Sequence, residues 1–207
     1  MSEPREAALD AFLRLVGEKG YAEVTLADVA EAAGLGMADL HRLYRDKVAL
    51  IAAFMERIDL EVLSGMPRRR DPEETARDRL FDVMMRRYDA LRAHRSALGA
   101  IRRAAQRDPL LGLALGPAMQ RSMAATLEAA GIASDGLPGA VRCHALLAIH
   151  YAVSRTFDRD ETADLSKTMA ALDGRLKTAE KWAQTLDRFV ISRRPRRSEP
   201  AADSPET

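Results

Sequence analysis

The stretch "TLADVAEAAGLGMADLHRLYRDK" (residues 25–47) decides how the rest of the chain is read. It holds two short apolar periodicities on either side of a glycine-bearing turn. Thr25 precedes the first, with Asp28 three positions on, the spacing of a reciprocal capping box at a helix start. Leu26, Val29, Ala30 and Ala33 then fall at i, i+3, i+4 and i+7, one face of a helix that Gly34 closes. Beyond the turn, Leu40, Leu43 and Tyr44 share one face of a second helix, read over 37–44. Asp46 caps a further helix that opens at Lys47. Gly36 stands at the cap of the middle helix, where a serine or threonine oxygen would usually accept from the backbone.

Outward from this pair, the pattern stays helical. Ala8, Leu9, Phe12, Leu15 and Val16 line one face of a preceding helix that ends at Gly20. After Lys47, the residues Val48, Ile51, Met55, Ile58 and Val62 point inward, so four short helices make a compact head. Gly65, Pro67 and Pro72 interrupt the pattern over 64–74, which reads as a hinge. A helix follows over about 73–94, with Leu80, Met84, Tyr88 and Leu91 aligned. Breaks at 107–109 and 129–139 come next, then a segment over 140–157 that is apolar on more than one face. The last helix carries Leu165, Met169, Leu172, Leu176, Ala179, Ala183, Leu186 and Val190 in steps of four and three, a heptad-like seam. The division expected is a helix-turn-helix head (1–64), a helical body (65–192) and a Pro- and charge-rich tail (193–207) expected to be disordered.

The bulk numbers fit that reading. The 207 residues are 47% hydrophobic and 30% charged with 5% aromatic, a globular and helix-leaning profile. The longest apolar run, residues 145–153, is too short to span a membrane and is broken by His150. The acidic N-terminus lacks the apolar stretch of an export signal, and the single cysteine, Cys143, fits a reducing compartment, so a cytoplasmic protein is expected. The net charge of +1 is uneven: residues 1–66 hold seven basic and twelve acidic side chains, a net of −5. A DNA-binding head with that balance must rely on local placement of its cations.

Catalytic patterns are lacking. The chain has no glycine-rich phosphate loop, no Cys/His cluster at metal spacing and no nucleophile elbow. His144 and His150 lie six apart on one helix and so point in different directions. A binding protein rather than an enzyme is expected, with no cofactor and no metal.

Over residues 7–55 the sequence resembles the TetR family of one-component regulators. The resemblance rests on "ALDAFLRLVGEKGYAEVTLADVAEAAGL" and "DLHRLYRDKVAL", with family-like spacing from Thr25 to Gly34, Leu40, Tyr44 and Lys47. It implies an all-α fold, with a three-helix helix-turn-helix head on a larger C-terminal bundle. It also implies a homodimer on a palindromic operator, acting as a repressor under a small effector held in each body.

On that reading Thr25 meets a phosphate through its hydroxyl and backbone N–H. The third helix enters the major groove with Ala38, Asp39, His41 and Arg42 outward and Arg45 just beyond. Met37 and Tyr44 complete the expected DNA interface. Arg42 is the candidate for a guanine edge, because its fork can bond O6 and N7 together. Lys47 matches the family's phosphate-contacting lysine, and His41 stands where the family usually has a tyrosine. Asp39, Gly36 and Leu43 depart from the family's pattern. Of these, Asp39 places a carboxylate where phosphates gather.

In the body, Met84, Met85, Tyr88, Met119, Met123, His144 and Tyr151 are the residues expected to line the pocket, for a moderately apolar effector. Ile149, Val153, Leu172, Leu176, Ala179, Ala183 and Leu186 are expected to form the dimer seam. A second family shares the fold: lipid-binding accessory proteins of ubiquinone biosynthesis, which act on isoprenoid lipids. Residues 84–98 and 164–176 are loosely similar to alphaproteobacterial members of both families, so a lipid-binding protein with weak or no DNA binding is the alternative.

Overall fold

The structure, a computed structural model, describes residues 3–67, 71 and 73–192, with side chains described as far as residue 181. Nine α-helices and one 3-10 turn account for the regular structure among these residues. They are α1 (Glu3–Lys19), α2 (Leu26–Ala32), α3 (Met37–Leu43), α4 (Lys47–Ser64), α5 (Ala76–Leu91), α6 (Arg95–Arg107), α7 (Pro109–Ala129), α8 (Gly136–Phe157) and α9 (Ser166–Ser192), with the 3-10 turn Arg92–His94 between α5 and α6. The fold is all-α, with the helix-turn-helix at the N-terminal end and a larger bundle behind it.

The local signals act where the sequence places them. Thr25 caps α2, its hydroxyl accepting from the Asp28 N–H while Asp28 accepts from the Thr25 backbone. Gly34 turns the chain into α3 at φ +66°, a conformation that costs a residue with a Cβ. Asp46 accepts from the Ala49 N–H and starts α4. Asp108 does the same for α7, accepting from Leu110, with Pro109 at the first turn.

Three boundaries differ from the sequence reading. The third helix ends at Leu43, because Tyr44 is already extended (φ −143°, ψ 117°). Helix α4 runs for 18 residues rather than staying short, since its inward face continues to Val62 against the body. Helix α5 stops at Leu91 and tightens into the 3-10 turn.

One apolar core runs through both ends of the molecule. Leu9, Phe12, Leu40 and Phe54 from the head join Met84, Tyr88, Phe157 and Leu172 from the body in a single cluster. Helix α1 leans on α6, and α4 packs along α7. Across α1 and α4, Arg57 pairs with Glu6 at 3.2 Å and Asp10 at 2.6 Å, so part of the head's acid excess is neutralised internally. In the loop before α9, Asp160 is fully buried and accepts from the backbone and hydroxyls of Thr162 and Thr168. Those four bonds hold its carboxyl well below the ordinary carboxylate range, against burial, which acts in the opposite direction.

Part of the dimer seam expected on α8 and α9 lies inside the subunit. Val153, Leu172 and Leu176 are buried within the subunit, because α9 lays its seam on α8 and α5 of its own chain. Arg77 of α5 holds α9 there through Asp173 at 3.0 Å and Glu180 at 3.7 Å. Ile149 and Ala179 are half-buried. The side chains of Ala183 and Leu186 lie outside the described residues, as does the tail 193–207. For its described, buried part, α5 and α8 supply the seam's partner inside the chain.

The expected effector residues divide as well. Met84, Tyr88 and Met123 are fully buried, Met119 is buried and Met85 is half-buried, all as packing residues of the core. His144 and Tyr151 face outward on α8, with His144 exposed and taking up Gln120 and the Ala140 carbonyl. These seven residues therefore do not surround a common cavity. No helix among the described residues is long and apolar enough to cross a membrane.

Candidate nucleic-acid interface

Helix α3 is short, and its placement depends on one side chain. Leu40 is its only buried residue and is completely enclosed. This anchor turns Ala38, Asp39, His41 and Arg42 to solvent, with Met37 49% exposed at the N-terminal end and Arg45 exposed just past the C-terminal end. The outward face expected from the sequence is thus brought together on one surface.

Asp39 and Arg42 form an ion pair at 2.9 Å one turn apart on this face. The carboxylate belongs to the first turn of α3, where it complements the helix dipole. Gly36 makes room for it: a Cβ there would stand 3.1 Å from the Asp39 Oδ2. The pair engages Nη1 of Arg42 and leaves the rest of the five-donor fork open. Asp39 therefore has Arg42 as its ion-pair partner on this face. Since both side chains are largely exposed, the attraction itself contributes little to stability.

Three of the residues expected at the DNA have bonding partners within the chain. Tyr44 is 2% exposed, with its hydroxyl donating to the Arg5 carbonyl at 3.2 Å and the Arg5 guanidinium stacked over its ring. It fastens α1 to the end of α3, and burial raises its phenol pKa. Lys47 donates to the Tyr21 carbonyl at 2.8 Å and the Val24 carbonyl at 2.9 Å, with its ammonium over the Tyr21 ring. It ties the α1–α2 loop to α4, and desolvation pulls its pKa below the ordinary lysine range. Thr25 commits both its N–H and its hydroxyl to Asp28, at 2.8 and 2.6 Å. Those bonds lower the Asp28 pKa, the Thr25 hydroxyl being the largest cause. Each of these groups bonds within the framework, which sequence spacing by itself does not reveal.

The sequence reading also missed a buried polar node behind the interface. Arg87 of α5 pairs with Asp59 of α4, and Ser122 of α7 donates to the same Asp59 oxygen at 2.7 Å. Arg87 is 3% exposed, and its Nε has no hydrogen-bond partner. The signal was present, because Leu80, Val83, Met84, Arg87, Tyr88 and Leu91 all fall on the buried stripe of α5. Ser122 likewise falls among the buried residues of α7. Nearby, Tyr88 and His150 stack with ring centroids 5.7 Å apart, the phenol 3.2 Å from the His150 Nδ1. Burial, helped by Arg87 and Arg102, pushes the His150 pKa down to about 3, so the imidazole is neutral.

Comparison with known proteins agrees with this geometry. The family model for bacterial regulatory proteins of the tetR family matches residues 8–54, which run from within α1 to the first half of α4. No curated protein matches the chain. Among solved structures, the chain is similar to a TetR transcriptional regulator from Nitrosomonas europaea ATCC 19718, with TM-score 0.68 and 20% identity over 85% of this chain and 97% of that one. It is also similar to a TetR-family regulator from a Rhodococcus species, with TM-score 0.60 and 19% identity over 86% and 98% of the two chains. Salmonella enterica GusR shares the fold at TM-score 0.54 and 18% identity, over 84% and 95%.

Proposed function

The chain has the fold of the TetR-family transcriptional regulators, and from that premise we propose that it is a sequence-specific DNA-binding regulator, acting as a repressor under a small effector. The observation that carries this reading is the outward face of α3, where Leu40 anchors the helix and Asp39 aims Arg42. Met37, Ala38, His41 and Arg45 complete a surface that enters a major groove, with Arg42 reading a guanine edge. Thr25, Tyr44 and Lys47 act from behind, holding the loop and helix ends that set the angle of α3.

The reader works as a homodimer, one head for each half of a palindrome, with the heads roughly 34–36 Å apart. The contact surface proposed is the outer face of α8. Leu137, Val141 and Tyr151 are 80%, 61% and 50% exposed there, with Ala140, His144 and Ala148 between them. This stripe recurs at steps of three and four and faces away from the core, as a helix pairing with its copy requires. Sedimentation of the wild type and Val141→Glu checks it, with a dimer expected for the first and a monomer for the second.

The effector's place in the cycle is to favour a head spacing that no longer fits successive grooves. Operator selection from random duplexes tests the regulator reading. An enriched palindrome is expected, with affinity falling steeply as salt rises. Recovery of no enriched sequence would overturn it and return the isoprenoid-lipid alternative.

A further inference from the structure

The groove between α4 and α7 is a cleft of about 460 Å³ running from Tyr44 to Leu60 along α4. We propose that it binds an amphipathic organic monoanion, and that the head senses its occupancy. Ala52 and Met55 of α4 face Ala118 and Ala125 of α7, so the walls are apolar and, being mostly alanine, leave the groove open. Leu60 extends the apolar wall at 55% exposure.

The charged lining sets the ligand's sign. Arg121 of α7 is exposed and has no bonded partner among the described residues. Arg5 packs over the Tyr44 ring and is paired with no carboxylate among the described residues. Of the two acids lining the cleft, Asp59 is committed to Arg87 and Ser122, which leaves Glu56 against two arginines. A cation is repelled by that balance, and a neutral lipid makes no use of it. A nucleotide or polyphosphate would need more cations than two and no Glu56. A single carboxylate on an alkyl or aromatic body fits both the walls and the charge.

At its inner end the cleft adjoins a buried polar node. Asp59 and Ala125 also line a void of about 10 Å³ beside Arg87, room for roughly one water. Arg87 is buried there with its Nε unsatisfied, a donor that lacks an acceptor. Arg87 borders that void and not the cleft, so the charges that face a ligand are those of Arg5, Arg121 and Glu56.

Position supplies the coupling. One wall is α4, which carries the head, and the other is α7, which belongs to the body. A ligand filling the groove prefers one separation of the two helices, and only such a preference can shift the orientation of the head. The Ser122–Asp59 hydrogen bond lies across the same seam, with Arg87 of α5 paired behind it, and opposes that shift. The coupling rests on the regulator reading of the previous subsection, whereas the binding does not.

Calorimetry on the full chain with sodium decanoate tests the site, with decanamide as the uncharged counterpart. Saturable decanoate binding is expected, with decanamide weaker by about tenfold. Arg121→Glu, at an exposed position that does not threaten the fold, should weaken decanoate by about tenfold or more. Ala52→Trp, which fills the groove, should abolish binding, with circular dichroism reporting whether that variant folds. No binding at millimolar decanoate would overturn the proposal, as would equal binding of decanamide or binding unchanged in Arg121→Glu. In a second arm, decanoate should weaken binding of the selected operator by the wild type but not by Arg121→Glu. Decanoate that binds the cleft without changing operator affinity would overturn the coupling. Operator selection without decanoate reports on the regulator reading separately, so the two failures are distinguishable.

Discussion

Two arginine–aspartate pairs in this chain do opposite work. Arg42–Asp39 sits on α3 with side chains 74% and 53% exposed, whereas Arg87–Asp59 joins α5 to α4 at 4% and 16%. Both use the same chemistry, and the difference is solvent. The exposed pair is screened and easily exchanged, so Arg42 can turn part of its fork to a base at little cost. The buried pair cannot be exchanged so easily, because either partner left behind is a desolvated charge. The first suits recognition, and the second holds the head's long helix against the body. Hence an arginine reports on function only together with its burial.

The largest test of this contrast removes Asp59. Asp59→Ala strands Arg87 in the core and should lower the unfolding free energy by about 3 kcal/mol or more in urea titration. If Arg87→Met in the same chain recovers most of the loss, the cost is the stranded charge rather than the missing contact. The exposed pair should behave in reverse. Arg42→Ala should leave the urea midpoint unchanged and cost about 1–3 kcal/mol of operator binding, concentrated at one base position. A uniform loss across sequences would instead make Arg42 a phosphate contact.

The buried side should also carry pH dependence. Folding depresses the His150 pKa to about 3 from an unfolded value of about 6.5, so the fold favours the neutral ring. Stability from this group is fully present above pH 6.5 and is lost as pH falls towards 3, amounting to about 2 kcal/mol by pH 5. His150→Gln should flatten the stability profile over that window. Asp160, whose carboxyl is held below its ordinary range, contributes only above an unfolded pKa of about 3.9 and weakens the fold at lower pH still. The smallest effect is expected from Asp39→Asn. It should change stability by no more than about 0.5 kcal/mol, while loosening base preference because Arg42 loses its guide.

The head was legible because its signals are local. The Thr25–Asp28 box, the turn at Gly34 and the Asp46 cap each depend on residues within four positions, and each stands where the spacing put it. The outward face of α3 followed from Leu40 by helical geometry. What the head's side chains bond was less legible: Tyr44 reaches Arg5, and Lys47 reaches Tyr21 and Val24, across separations that no periodicity encodes.

The body shows the limit more sharply. Periodicity identified the seam of α9 but could not say whether α5 and α8 of the same chain or a second copy would cover it. Methionines at 84, 119 and 123 looked alike as core or as pocket lining until packing assigned them to the core. Arg87 and Ser122 lay in plain view on buried stripes, yet only the approach of α4 gave them Asp59. By itself the sequence determined the helices, their caps and the outward face of α3, because these follow from neighbours within one or two turns. Only the tertiary structure decided which charges are exposed, which seam is internal and where the α4–α7 cleft opens, because each depends on helices far apart in the chain.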